Sequence, residues 1–158
     1  MTKLALLALL LITAPLAARE SLGVYDGWAA FKDAKPQRCY AIAKVQGTPP
    51  APAYATVSHW PDRKVRGAVH IVLSRDVAAK AEVRLAVGDK RFTLVAKGRN
   101  AWARDTGDDA AIIAALRSAA RMSVSASSAK GGTFTDRYAL AGAATAIDAA
   151  TVGCAKRS

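Results

Sequence analysis

The chain has 158 residues, with 23 lysines and arginines against 12 aspartates and glutamates and a formal charge of +11. That length suits one domain with a real core and excludes a string of several domains. The positive balance favours anionic partners such as lipid head groups, acidic polysaccharide or nucleic acid, although scattered lysines and arginines also serve solubility through self-repulsion.

Residues 1–18 have the outline of a signal peptide. Lys3 supplies a positive start, Leu4 to Ile12 is an uncharged apolar run, and Ala17-Ala18 offers small residues for cleavage before Arg19. A membrane anchor needs about 20 apolar residues, and Pro15 interrupts the run too early. No other stretch is long or apolar enough to cross a bilayer. Cleavage leaves one domain over 19–158, periplasmic or secreted, with a formal charge of +10 once Lys3 is removed from the +11. In an oxidising compartment the two cysteines, Cys39 and Cys154, pair as one structural disulfide. They lack the Cys-x-x-Cys spacing of redox-active pairs. Closing a loop of about 100 residues contributes roughly 4.7 kcal/mol in the chain-entropy model.

Leu22 to Phe31 carries Val24, Tyr25, Trp28 and Phe31 and reads as a first strand, with Asp26-Gly27 as a bulge or turn. Asp33-Ala34-Lys35-Pro36 breaks it, and Gln37 to Val45 returns as its hairpin partner. Gln46 to Ala55 holds Pro49, Pro50 and Pro52, which bar it from a central strand and make it a surface loop. Ala55 to Trp60 is a short strand ended by Pro61-Asp62. Beyond the basic segment Arg63-Lys64-Val65-Arg66, the strand Ala68 to Ser74 puts Val69, Ile71 and Leu73 on one face. His70 and Ser74 take the other. Val83, Leu85 and Val87 alternate likewise, and Gly88-Asp89 signals a tight hairpin turn. Lys90 to Ala96 then turns Phe92 and Leu94 inward and Arg91 and Thr93 outward. Gly98-Arg99-Asn100 turns again before a short strand around Trp102.

The period then becomes helical. Ile112, Ile113, Leu116 and Ala120 share one face of a helix expected over Asp108 to Arg121. Asp105 or Thr106 caps it, Asp108 and Asp109 complement the positive end of its dipole, and Arg117 and Arg121 suit the other end. Met122, Val124 and Ala126 return to strand alternation. Lys130-Gly131-Gly132 turns, and Thr133 to Leu140 closes the sheet. Ala143 to Val152 is a short Ala-rich helix near Cys154. About eight short strands with turns at regular spacing predict a mainly β antiparallel sandwich or barrel. The helices are insertions rather than partners of a parallel sheet.

Chemistry is harder to find. His59 and His70 are the only histidines, and they show no metal-ligand spacing. No metal or cofactor is expected. There is no G-x-S-x-G, and Ser58 and His59, adjacent on a strand, point to opposite faces. No G-x-G-x-x-G or P-loop occurs. Arginines and aromatics alternate at Arg91-Phe92 and Arg137-Tyr138, which would suit a nucleic-acid groove. Any half-buried strand shows the same pattern, so nucleic acid is not expected. One cluster invites a function: Arg63, Lys64 and Arg66 sit in a Pro/Gly-bounded loop beside Trp60. There cations and an indole could meet anionic lipid head groups or acidic polysaccharide.

Almost the whole mature chain resembles the invasion-associated locus B family of exported bacterial proteins. The resemblance rests on the order of Trp28, Cys39-Tyr40, the strand Val69 to Leu73, the helix Asp109 to Arg117, and Phe134 to Leu140 with Gly142 and the Ala-rich helix. It implies an immunoglobulin-like β-sandwich, export to the periplasm or cell surface, and no known catalytic residues. Where many members carry a further cysteine, this chain has Phe31 and Lys32, so a second disulfide cannot form. The expected function is a non-enzymatic exported binding or interaction domain touching anionic envelope or host components. The alternatives are a periplasmic hydrolase using His59 or His70, or a purely structural envelope protein.

Overall fold

The computed structural model describes residues 19–155. The expected signal peptide and the basic pair Lys156-Arg157 lie outside that range. The described residues form β1 (Arg19–Tyr25), β2 (Trp28–Asp33), β3 (Arg38–Lys44), β4 (Tyr54–Trp60) and β5 (Val65–Val72). Next come β6 (Val83–Val87), β7 (Lys90–Lys97), β8 (Asn100–Trp102) and helix α1 (Thr106–Ser118). β9 (Arg121–Ser127), β10 (Thr133–Ala139) and helix α2 (Ala143–Gly153) complete the fold. The ten strands make one sheet in the order β1-β2-β3-β4-β5-β8-β7-β6-β9-β10, with every neighbouring pair antiparallel.

The sheet curls until its ends approach each other. The indole Nε1 of Trp28 on β2 donates to the Ala139 carbonyl on β10 at 3.0 Å. The backbone N–H of Gln46, just past β3, donates to the Arg137 carbonyl at 2.8 Å. Alternation then decides the core, because one face of every strand points into the curl. Trp28, Ala30, Ala41, Val57 and Ile71 enter it from one half, and Leu85, Val124, Phe134 and Tyr138 from the other. The antiparallel, mainly β architecture is as expected, with one helix between strands and a short helix at the end. Its two facing layers are halves of a single continuous sheet.

Three local expectations are corrected. The stretch from Leu22 to Phe31 is two strands: Asp26 takes a left-handed φ of 51°, which aspartate tolerates, and the chain reverses at Asp26-Gly27. This adds a strand to the count of about eight. Helix α1 stops at Ser118, because Ala119 is already extended at ψ 159°. Arg121 therefore opens β9 instead of closing the helix. Ser74 does not share an outward face with His70, since β5 ends at Val72. The buried Ser74 N–H instead donates to the equally buried Asp136 Oδ2 at 2.8 Å, so that carboxylate keeps a partner.

Both helices seal the inner side. The Asp105 carboxylate caps α1 by accepting from the Asp108 N–H at 2.8 Å. Asp109 Oδ1 accepts from the Val69 N–H at 2.7 Å and pins the helix to β5. Ile112 and Leu116 are buried, whereas Ile113 is half-buried against Gly67, where a larger residue would collide with it. Helix α2 packs across β1, β2 and β3 through Ala143, Ala146 and Ala150, all fully buried. It begins at Gly142, with φ 83°, where any Cβ would run into the Tyr25 carbonyl. Short side chains on α2 and on β3 bring Cys154 to 5.7 Å, Cα to Cα, from Cys39, and a disulfide joins them.

Leu116→Ala removes a buried anchor of α1 and should lower stability by about 2–5 kcal/mol. Urea unfolding checks this: the midpoint is expected to fall at unchanged slope. An unmoved midpoint would mean that the Leu116 side chain is not packed.

Candidate anion-binding face

Strand β3 sets the geometry. Cys39, Ala41 and Ala43 face inward, so alternation turns Arg38, Tyr40 and Ile42 outward, where Tyr40 is nonetheless buried. Pairing puts Phe31 of β2 on one side of Tyr40 and Ser58 of β4 on the other. The Phe31 and Tyr40 rings lie 5.8 Å apart, tilted by 39°. Three guanidinium groups are interleaved with these rings and with Trp60 at the end of β4. Arg19 lies 5.8 Å from the Phe31 centroid and 5.8 Å from Tyr40. Arg38 lies 4.1 Å from Tyr40 and 4.9 Å from Trp60, and Arg63 lies 4.8 Å from Trp60. Each contact falls within the range where the ring quadrupole attracts a cation, worth about 0.5–1 kcal/mol at an exposed site.

Hydrogen bonds fix the arginines further. Arg38 donates from Nε and Nη2 to Ser58 Oγ at 3.3 and 2.8 Å, which leaves Nη1 free of side-chain partners. Arg19 donates from Nε to Asp33 Oδ1 at 2.9 Å. Burial pulls the Arg38 pKa below its ordinary value, partly offset by Tyr40 and Asp33. Arginine titrates so far above neutrality that Arg38 keeps its charge. Burial also raises the Tyr40 phenol, with the Asp33 charge adding to it and Arg19 and Arg38 opposing it. The rim of the ladder is a shallow cleft lined by Arg19, Lys35 and Arg38, with Asp33 as its one carboxylate and Trp60 as an apolar wall. Three cations against one carboxylate, over an aromatic floor, can hold an anionic group by charge-assisted hydrogen bonds.

The four residues expected from the sequence divide. Trp60 and Arg63 join the ladder. Lys64 adopts a left-handed conformation, φ 56°, after the 3₁₀ turn Pro61–Arg63. Arg66 pairs with His59, whose neighbour in register is the inward-facing Cys39. Lys64 and Arg66 therefore line a separate groove with His59, Thr151 and Cys154. Arg19, Phe31, Lys35, Arg38 and Tyr40 were not anticipated. The available signal was the triplet Arg38-Cys39-Tyr40, in which an inward cysteine sends both neighbours out.

Neither histidine forms a catalytic pair among the described residues. Thr151 Oγ1 donates to the Ile147 carbonyl at 2.8 Å, so the contact at 3.2 Å between it and His59 Nε2 uses the hydroxyl as acceptor. His70 Nε2 donates to Asn100 Oδ1 at 2.9 Å and stacks on Trp102 at 5.4 Å. No hydrogen bond links either imidazole to a carboxylate among the described residues, and no three metal-ligating side chains converge there. No helix among them is long and apolar enough to cross a membrane.

The model of the Invasion associated locus B (IalB) protein family matches residues 29–151, most of the chain. The chain belongs to this family. As an IalB chain it is also similar in fold to a solved structure, the crystal structure of invasion associated protein B from Bartonella henselae. The two share a TM-score of 0.63 and 16% identity, over 84% of this chain and 96% of that one. No curated protein matches the sequence. The family match spans β3, β4 and the Pro61–Arg63 turn of the ladder, but starts after β1 and Arg19.

His59 yields a pH prediction for this IalB chain. Burial, followed by the charges of Arg117 and Arg66, holds its imidazole below the ordinary value. The unfolded chain takes up that proton below about pH 6.5 while the folded chain resists it. Stability should therefore rise with pH through the window just below about pH 6.5 and be lost as pH falls through it. His59→Gln is expected to flatten this part of the profile, measured as urea midpoints across that window. A wild-type slope that survives the substitution would assign it to other groups.

Proposed function

We propose that this IalB chain is an exported, non-enzymatic interaction domain that holds anionic groups of an envelope or host surface on its arginine–aromatic ladder. The observation that carries the proposal is the interleaving of Arg19, Arg38 and Arg63 with Phe31, Tyr40 and Trp60 on an outer sheet face. The inner face of the same strands supplies most of the core; on the outer face Tyr40 is buried, while Arg19 and Arg63 remain exposed. Export is supported by the apolar leader-like segment 1–18, by the disulfide and by the family resemblance. The family's description and its Bartonella henselae member, both named for invasion, support contact with a host surface as one setting for the same chemistry.

Binding should be electrostatic and therefore steeply salt-dependent, because exposed charges are screened over about 8 Å at physiological ionic strength. Vesicles with anionic lipid and a carboxylated polysaccharide serve as parallel probes. Wild type is expected to bind at low salt. Arg38→Gln combined with Arg63→Gln should weaken binding to the vesicles by about tenfold or more, the loss of charge-assisted hydrogen bonds. Lys64→Ser combined with Arg66→Ser, on the other side of the strand, should change it little. Equal affinity of both double variants, or no binding to either probe at low salt, would overturn the proposal.

A further inference from the structure

The outer face of the other half of the sheet carries a second basic surface of different character. On β7 and β10 the alternation Arg91-Phe92 and Arg137-Tyr138 sends the rings inward and the arginines out. Register places Arg91, Ala86, Ser123 and Arg137 in one row across β7, β6, β9 and β10. Arg121 lies two residues before Ser123 on β9 and projects from the same face. Arg91, Arg121 and Arg137 line one cleft of about 490 Å³, floored by Ala86 and Ser123, and no carboxylate lines it.

The charges in this cleft are uncompensated. Arg121 and Arg137 take part in no ion pair among the described residues, and Arg91 donates only to the carbonyls of Gly88 and Lys90, each at 2.9 Å. Three like charges around one concavity repel one another, and an anion between them removes that repulsion while accepting guanidinium hydrogen bonds. Arg91 and Arg137 stand three strand spacings apart, about 14 Å between backbones. One carboxylate cannot reach both, but repeated carboxylates along a chain can. The site ends at this row: in the next, Thr93, Arg84, Ser125 and Thr135, the Glu82 carboxylate already accepts from Thr93 Oγ1 and pairs with Arg84, each at 3.1 Å. The outward positions of β6, β9 and β10 carry no aromatic ring for base stacking, and the exposed Trp102 lies off the cleft, paired with Val95 toward the far end of β7. Val95 is the one exposed large apolar side chain on the outward side of β7, too little to enter an acyl layer.

We infer that this cleft is a second anion site, built for a carboxylate-bearing polysaccharide. Because both halves of the sheet face one core, the cleft and the ladder point away from each other. One molecule thus joins two acidic chains, a bridging role that rests on the ladder reading above, whereas the cleft itself does not.

The test starts from Arg38→Gln, Arg63→Gln protein, in which the ladder is disabled. Oligogalacturonate should still bind, and adding Arg121→Gln and Arg137→Gln should weaken it by about tenfold or more. All four side chains are at the surface or half-buried, and matching thermal unfolding of the variants confirms that they fold. Unchanged affinity after the second pair of substitutions would overturn the site. So would single-stranded DNA or anionic vesicles competing for it more tightly than the oligosaccharide. Bridging is read from light scattering on polygalacturonate: wild type is expected to cross-link it and each double variant to lose this. Cross-linking that persists without the ladder would overturn the bridge and count against the ladder itself, while the oligosaccharide affinity still tests the cleft.

Discussion

The bond between Cys39 and Cys154 is the constraint on which the rest depends. A cysteine on β3 reaches a C-terminal helix packed inside the curl only from the inner face of its strand. Alternation then obliges Arg38 and Tyr40 to face outward. The same bond closes a loop spanning 115 residues of separation, so it restricts the unfolded chain as well as holding α2 against β3. The alanines that let α2 approach, the glycine that starts it and the inward cysteine form one packing solution. The outward arginine and the tyrosine buried beside it are its consequence, and the half-buried arginine is available for another use.

That use follows from how the outer side chains are held. A free arginine gives up about 2 kcal/mol of rotamer freedom when it is immobilised. Arg38, wedged between Tyr40 and Trp60 and bonded to Ser58, has already given up much of this in the folded protein. Binding an anion then costs less ordering, which is the general advantage of a preorganised site. The ladder also separates the chain's two kinds of basic surface. One stacks guanidinium groups on rings, and the other rings a floor of small and hydroxyl residues with unpaired arginines.

The fold was legible wherever local pattern and tertiary role agree. Val83-Leu85-Val87 and Met122-Val124-Ala126 alternate in sequence and are buried in the structure, and Asp105 caps α1 as its position implies. Legibility failed where a non-local partner decides. Ala119 and Ala120 favour helix, yet pairing of β9 with β10 takes the chain from Arg121 onward. Ser74 reads as an outward strand residue until Asp136, 62 positions away, claims its N–H. The site followed the same rule. Arg63, Lys64 and Arg66 lie within four residues but occupy a tight reversal in which Trp60 pairs with Val65, so Arg63 is parted from the other two. Arg19 and Arg38 are distant in sequence and meet because both flank Asp33 in the sheet register.

The central claim is that the outward face of β3 and β4 receives an anionic ligand. The three tryptophans provide an internal comparison by NMR, because each indole N–H has a different environment. Trp28 is buried and bonded to Ala139, Trp102 stacks on His70, and Trp60 lies between Arg38 and Arg63. Titration with a carboxylated oligosaccharide at low salt should shift the Trp60 indole resonance progressively while that of Trp28 stays fixed. A Trp60 resonance that does not move while the ligand binds would contradict the account.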